Sequence, residues 1–169
     1  MAKIETAPEL DVAVWLNTSA PLSLAGLRGR VVVLHAFQML CPGCVLHGIP
    51  QAERIHQLFA ADDVQVIGLH TVFEHHEAMR EASLRAFLHE FRVSFPVGID
   101  QHAEPDGMPL TMARYAMRGT PTLILIDRAG RVRAHEFGEV DDMAAGARIA
   151  QLVAERDASQ AVGAGNQRE

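Results

Sequence analysis

The apolar run VVVLHAF, from Val31 to Phe37, constrains the fold of this chain more than any other feature. A run of β-branched and large apolar residues without polar alternation is typical of a strand that is covered on both faces of a sheet. Shortly after this run comes the tetrapeptide Cys41-Pro42-Gly43-Cys44, which contains both cysteines of the chain. A candidate dithiol therefore follows directly on a buried strand.

The pattern of the other segments predicts a single α/β domain. A helix over residues 41–60 and a second buried strand from Val64 to His70 complete a strand, helix, strand unit with a right-handed crossover. The pattern then predicts a helix over about 77–91, a short strand in SFPVGID, a short helix in LTMARYAM, a hairpin formed by TLILID and RVRAHEF, and a last helix over about 141–155. This order predicts a mixed central sheet with helices on both faces, in one domain over residues 1–156, followed by a disordered tail over 157–169.

Composition and charge exclude several classes of protein. The chain is 49% hydrophobic and 21% charged, which favours a globular domain, and no apolar run approaches the roughly 18 residues that would span a bilayer. The net charge of -6 and the scattered arginines argue against nucleic acid as a partner. The single lysine, Lys3, leaves no candidate for Schiff-base or P-loop chemistry. Because the N-terminal stretch has no apolar signal segment, we expect a cytoplasmic protein without a membrane partner.

Three interpretations of the cysteine pair compete. Permanent disulfides are rare in cytoplasmic proteins, which leaves a redox couple, a metal site or two inert thiols. Zinc could use Cys41, Cys44 and His47, but no fourth ligand is evident in the sequence. The strand-to-helix context favours the redox couple, so the sequence predicts neither a metal nor a cofactor.

The position of the two thiols suggests different roles for them. A cysteine at the start of a helix lies where the backbone amides and the helix dipole favour a thiolate. Cys41 is expected to be the more exposed and to attack a substrate disulfide, while Cys44 lies further into the helix and resolves the mixed disulfide. A two-residue spacer brings both sulfurs within disulfide geometry.

With these residues the sequence resembles the thioredoxin superfamily, from about Trp15 to Val153. The segments VVVLHAFQMLCPGC, Gly119-Thr120-Pro121-Thr122 and TLILIDRAGRV are similar to the TlpA-like redoxins. The segments Trp15-Leu16-Asn17, PLSLAGLRG and VIGLHTVFE most resemble the thioredoxin-like domain found in NHL-repeat proteins, although no NHL repeats occur here. The resemblance implies a thioredoxin-like fold and thiol-disulfide exchange at the dithiol.

The resemblance also implies a substrate-binding surface. It makes Pro121 a cis proline that faces the dithiol, with the backbone of Thr120 presented to an extended peptide. Leu40, Pro42 and Gly43, around the cysteines, complete the predicted surface.

Four features of the sequence depart from the family pattern. Leu40 replaces the tryptophan that thioredoxins usually carry before the first cysteine, and Pro42-Gly43 inverts their Gly-Pro spacer. His35 stands where thioredoxins have a buried acid. Pro50 follows Cys44 by six residues instead of five, so the sequence predicts a shifted or distorted helix kink.

Two histidines are candidates for the site. His35 is either a core residue or a neutral base that accepts the proton of Cys44. His70 ends the neighbouring strand, where loops of α/β sheets build binding sites, and is predicted to contact substrate. The residues that follow it are interpreted as a polar loop entering a helix; they include Thr71, Glu74, His75 and His76.

The sequence therefore predicts a thiol-disulfide oxidoreductase that works as a disulfide reductase. Its partners would be a disulfide-containing protein or small molecule and a thiol reductant of unknown identity. A peroxiredoxin-like peroxidase is the alternative, but Gln38 and Leu34 replace the threonine and proline of the peroxiredoxin motif. A redox-inactive module that binds peptides at Thr120 and Pro121 is a further alternative.

Overall fold

The computed structural model describes the backbone of residues 5–164 and the side chains of residues 5–155. Six strands form one sheet in the order β1-β4-β3-β2-β5-β6. Strand β2 lies parallel to β3 and β3 parallel to β4, while the other pairs are antiparallel. The strands are β1 (Val12–Leu16), β2 (Val31–Phe37), β3 (Val64–His70), β4 (Val97–Asp100), β5 (Thr122–Ile126) and β6 (Val132–Phe137).

Helices cover both faces of the sheet, which confirms the predicted mixed α/β architecture. They are α1 (Ile49–Leu58), α2 (Glu81–Glu90), α3 (Leu110–Arg114) and α4 (Asp142–Ala164), with a π-helical turn at Cys44–Gly48 and a 3-10 turn at His76–Met79. Helices α1, α2 and α4 pack on the face that carries Val31, Val33 and Phe37 of β2. The short helix α3 and the N-terminal segments cover the opposite face.

Strand β2 is the most deeply buried element of the sheet. All seven of its residues are buried, as the apolar run predicts for a strand between two neighbours and two helical layers. Side chains of a strand alternate between faces, so His35 lies on the same face as Val33 and Phe37. That face is the one packed against α1 and Cys44.

The π-helical turn occurs where the sequence carries its extra residue before Pro50. The N–H of Ile49 donates to the carbonyl of Cys44, five residues back, which is the π-helical pattern. Pro50 has no N–H to continue an α-helical ladder, and the wider turn accommodates the added residue. The predicted distortion is therefore localised to Cys44–Gly48.

Three elements differ from the prediction, namely strand β1, the helix expected over 77–91 and helix α4. Strand β1 was not predicted, because its five residues are too few to show a clear alternation, and pairing with β4 makes it a strand. The helix expected over 77–91 is divided at Arg80, whose backbone is extended.

Helix α4 is longer than predicted. It runs to Ala164, so residues 157–164 of the predicted disordered tail are helical, and 165–169 lie outside the described residues. The segment DASQAVGA has no apolar periodicity, but its alanines have high helix propensity. Among the residues that the structure describes, no helix is both long and apolar enough to cross a membrane.

Asp127 holds the turn that joins β5 to β6. Its buried carboxylate accepts hydrogen bonds from the N–H groups of Ala129 (3.0 Å) and Arg131 (2.9 Å), and from the guanidinium groups of Arg131 (2.8 Å) and Arg133 (3.2 Å). Burial alone would raise the pKa of Asp127, but these hydrogen bonds outweigh it and hold the pKa below its usual value.

We expect Asp127→Asn to lower the free energy of unfolding by about 1–3 kcal/mol at pH 7, because an amide cannot accept from both guanidinium groups. The pKa of Asp127 is lower in the folded than in the unfolded chain, so its contribution exists above about pH 4 and is lost as pH falls through the folded value. Urea unfolding followed by the single tryptophan should show the deficit at pH 7 and a smaller one at pH 3.

Asp62→Asn is the control, since that side chain is 96% exposed and should change stability by less than about 0.5 kcal/mol. A deficit in Asp127→Asn that is independent of pH would contradict an ionic role for Asp127.

Candidate dithiol site

The dithiol lies at the point where β2 gives way to helix. The N–H of Cys41 donates to the carbonyl of Gln38 (3.0 Å), and the N–H of Val45 donates to the carbonyl of Cys41 (3.1 Å). These bonds turn the chain sharply after Phe37 and start the helix at the first cysteine. The buried strand thereby fixes the position of Cys41.

The two sulfurs are adjacent and unequal. Both cysteines are free thiols, with Cys41 partly exposed and Cys44 fully buried. The Cys44 S–H donates to Cys41 Sγ at 2.6 Å, and the Cys44 backbone N–H also points to Cys41 Sγ at 3.3 Å. Burial, followed by the hydrogen bond with Cys41, raises the pKa of Cys44 to about 12. Cys44 therefore stays protonated at neutral pH, while Cys41 is the sulfur that an incoming molecule reaches.

The Thr120-Pro121 segment lies against the dithiol, as predicted. The peptide bond between these residues is cis. The Cys41 S–H donates to the Thr120 carbonyl at 3.5 Å. A Cβ placed on Gly43 would lie 3.3 Å from Cδ of Pro121, so the segment packs on the spacer between the cysteines.

A groove of about 440 Å³ opens beside Cys41. Leu40, Pro42 and Thr120 line it, as the sequence predicts, and Leu40 is 55% exposed. Sequence reasoning missed two aromatic residues of the same groove, Phe73 and Phe137. Phe137 is half exposed at the end of β6, and the guanidinium of Arg118 lies 5.2 Å from its ring centroid.

The groove therefore combines an accessible sulfur, a backbone carbonyl and apolar walls. An exposed aromatic at a strand end is the only sequence signal that could have indicated Phe137.

His35 lies beneath the helix that begins at the dithiol. Its side chain is 3% exposed, and burial lowers its pKa to about 4, so the ring is neutral at pH 7, in agreement with the prediction. Its Nε2 has no hydrogen-bond partner among the described residues. Gly48, one turn after Cys44, covers the ring so closely that a Cβ there would collide with Cε1 and lie 2.5 Å from Nε2. A buried and unpartnered base thus lies against the turn that carries Cys44.

His70 does not contact the groove, contrary to the prediction. It is 1% exposed, and its ring packs on Phe37 with centroids 5.2 Å apart. Burial, with His102 nearby, lowers its pKa to about 4, and its neutral Nε2 accepts a hydrogen bond from the N–H of Met39 at 3.4 Å. His70 ends β3 inside the sheet layer instead of at the rim, so it supports the loop before Cys41.

The side chain of Gln38 is hydrogen-bonded to the loop after β3. The buried Gln38 side chain accepts from the N–H of Phe73 (3.2 Å) and donates to Glu74 (3.4 Å). Glu74 and His75 line the groove, although the sequence favoured an ordinary polar loop there. His47, which the sequence offered as a possible zinc ligand, is half exposed and lies 3.4 Å from Glu139.

In the described part of the chain, no group of three or more His, Cys, Asp or Glu residues is arranged to hold a metal ion.

A dithiol at a strand-to-helix turn, with one exposed and one buried sulfur in a mixed sheet of this order, defines the class of thioredoxin-like thiol-disulfide oxidoreductases. The chain belongs to the Redoxin family, whose model matches residues 5–150.

Known proteins support this assignment. A solved thioredoxin-like superfamily protein is 60% identical, with a TM-score of 0.84, over 88% of this chain and 96% of that one. A solved thiol-disulfide isomerase from Corynebacterium glutamicum is 48% identical, with a TM-score of 0.85, over 90% of this chain and 98% of that one. NHL repeat-containing protein 2 of Gallus gallus is 35% identical over 101 residues, which are 58% of this chain and 14% of that protein. The chain spans only 13% to 19% of the length of the curated relatives it matches.

Proposed function

We propose that this protein is a disulfide reductase in which Cys41 attacks and Cys44 resolves. The observation that carries the proposal is the inequality of the thiols: Cys41 opens to the groove, whereas Cys44 is buried with its S–H directed at Cys41 Sγ. An attacking sulfur must be reached from outside, and a resolving sulfur must be reached only by the first one.

The reaction proceeds in two exchanges. The Cys41 thiolate attacks one sulfur of the substrate disulfide, forms a mixed disulfide and releases the first substrate thiolate. Cys44 then loses its proton and attacks Cys41 Sγ, which forms the Cys41–Cys44 disulfide and releases the second substrate thiolate. A thiol reductant returns two electrons and two protons to the pair.

The groove favours a disulfide within an extended peptide. In the free enzyme the Thr120 carbonyl accepts a hydrogen bond from the Cys41 S–H. In the mixed disulfide Cys41 has no S–H, so this carbonyl can accept a hydrogen bond from a substrate N–H. The apolar walls at Leu40, Phe73 and Phe137 suit apolar residues beside the substrate cysteine. A small-molecule disulfide would contact the sulfur of Cys41 but not the apolar walls of the groove.

His35 is proposed as the acceptor of the Cys44 proton. Complete transfer before bond formation is unfavourable, because burial raises the pKa of Cys44 and lowers that of His35. The proton therefore moves as the sulfur–sulfur bond forms, when Cys44 Sγ no longer needs to carry a full negative charge.

The direction of the reaction and the compartment belong to the same proposal. Strong oxidants of this chemistry stabilise their reduced form by several donors to the attacking thiolate. Here the spacer Pro42-Gly43 offers no side-chain donor, and among the described residues the donors to Cys41 Sγ both belong to Cys44, namely its backbone N–H and its S–H. Both cysteines of the sequence belong to the dithiol, so the fold needs no structural disulfide, which suits a reducing compartment such as the cytoplasm.

The peroxidase alternative has less support. Gln38, at the position of the peroxiredoxin threonine, uses its side chain to hold Phe73 and Glu74. It is not available to orient a peroxide.

The reduction potential tests the direction. Equilibration with glutathione buffers should give a potential more negative than about -230 mV, within the range of reductants. A potential near -120 mV, typical of strong oxidants, would contradict the assignment.

The roles of the thiols are tested with 5,5′-dithiobis(2-nitrobenzoate), which releases one thionitrobenzoate on attack and a second on resolution. We expect Cys44→Ser to release only the first equivalent and to retain the other as a mixed disulfide on Cys41, detectable by mass. Cys41→Ser should react only at the slow rate of a buried thiol. The opposite behaviour of the two variants would mean that Cys44 attacks and Cys41 resolves.

The role of His35 is tested by the pH dependence of the resolving phase. In the wild type this phase should be nearly independent of pH above about 4 and should slow below it, as His35 becomes protonated. His35→Leu should resolve about tenfold or more slowly at pH 7, because general-base assistance is lost. Its rate should rise about tenfold per pH unit, in proportion to the Cys44 thiolate. An unchanged rate at every pH would make His35 a core residue only.

A further inference from the structure

A second pocket, of about 270 Å³, lies beside α1 and reaches His35 from the side away from the groove. Its inner end is formed by buried residues, namely His35, Gly48 and Leu123. Its outer end is formed by side chains that are half exposed or more, namely His47, Arg54 and Glu139. The pocket therefore connects a buried imidazole with the protein surface.

The pocket and the groove have no lining residue in common. The groove ends at Thr120 and Phe137, and the pocket begins at the next residues of both segments, Pro121 and Gly138. The chain segments at 120–121 and 137–138 therefore separate the groove from the pocket.

The charged groups that line the pocket already have partners. His47 lies 3.4 Å from Glu139, and Arg54 lies 2.8 Å from Asp142. Asp141 accepts from the N–H groups of Met143 and Ala144 at the start of α4.

Among the buried side-chain nitrogen and oxygen atoms of the described residues that line the pocket, His35 Nε2 is the one without a hydrogen-bond partner. A pocket of this size has room for several waters, at about 30 Å³ each, and water can donate to or accept from an imidazole.

A second opening suits the resolving step of the reaction. Cys44 must lose its proton while the substrate is still bonded to Cys41 and covers the groove. Cys44 itself is 0% exposed, so its proton has no direct way to water.

We propose that the pocket between α1 and the segment 138–142 is the route by which protons pass between His35 and bulk water. This inference rests on the proposed role of His35. It places proton release on the side of Pro121 away from the substrate, so that a docked substrate does not block the resolving step.

Chemical rescue tests the proposal. His35→Ala removes the ring and should slow the second thionitrobenzoate phase about tenfold or more at pH 7, without changing the first phase. Because the space left is continuous with the pocket, added imidazole should enter and restore at least a third of the lost rate, with saturation. Pyrazole has the same ring size but is a far weaker base, and it should restore nothing. Equal rescue by pyrazole would show that the ring only fills space and would overturn the proposal.

A second experiment tests the proposal by blocking the pocket. Val140→Trp adds an indole to the pocket wall, and Glu139→Trp adds one at the outer end, where the native side chain is 64% exposed and folding is least at risk. Each should slow the second phase in the wild-type background and abolish imidazole rescue in His35→Ala. Leu58→Trp, on α1 but outside the pocket, is the matched control and should do neither.

The outcomes separate the two proposals. If His35→Ala resolves at the wild-type rate, His35 is not the proton acceptor and the pocket carries no proton from it. Both phases would still report oxidoreductase activity, so the proposed function would stand. If His35→Ala is slow but rescue persists when the folded Glu139→Trp variant closes the pocket, the proton acceptor stands and the proposed route is wrong.

Discussion

The structure depends on the complete burial of β2 between β3 and β5. Both edges of this strand are paired and both faces are covered, so it cannot shift in register without exposing apolar side chains. Its last residue therefore has a fixed position, and Cys41 follows it by one hydrogen-bonded turn. The pairing of Ala36 with Thr122 brings the preceding Thr120-Pro121 segment to the same end of the sheet. One buried strand thus aligns both halves of the site.

Burial also separates the chemical roles of groups that lie close together. It raises the pKa of the Cys44 thiol and lowers that of the His35 imidazole, so both are neutral before reaction. A neutral thiol and a neutral base can be kept in a low-dielectric interior, whereas the corresponding ion pair would lose its hydration. The same environment keeps Cys44 away from solvent, which suits the resolving role proposed for it. The π-helical turn and Gly48 fit this arrangement, because a side chain at position 48 would occupy the space of the His35 ring.

Much of the fold could be predicted from local pattern. The apolar runs of β2, β3 and β5 gave the centre of the sheet, and Asp127 to Gly130 gave the hairpin turn, because these signals come from residues adjacent in sequence. Strand β1 could not be predicted, since only its pairing with β4 makes five weakly patterned residues a strand. His70 was placed at the rim because it ends a parallel strand. The structure places it in the core, where its ring packs on Phe37 and accepts a hydrogen bond from the N–H of Met39.

The sequence by itself determined the dithiol, its place after a buried strand, the Thr120-Pro121 segment and the position of His35 on the strand. Each of these follows from residue identity and spacing along the chain. Only the tertiary structure decided that Phe73 and Phe137 form walls of the groove, and that His35 borders a separate pocket. These properties depend on contacts between segments far apart in sequence, such as β2 with β5 and α1 with the 138–142 segment, and burial is set by those contacts.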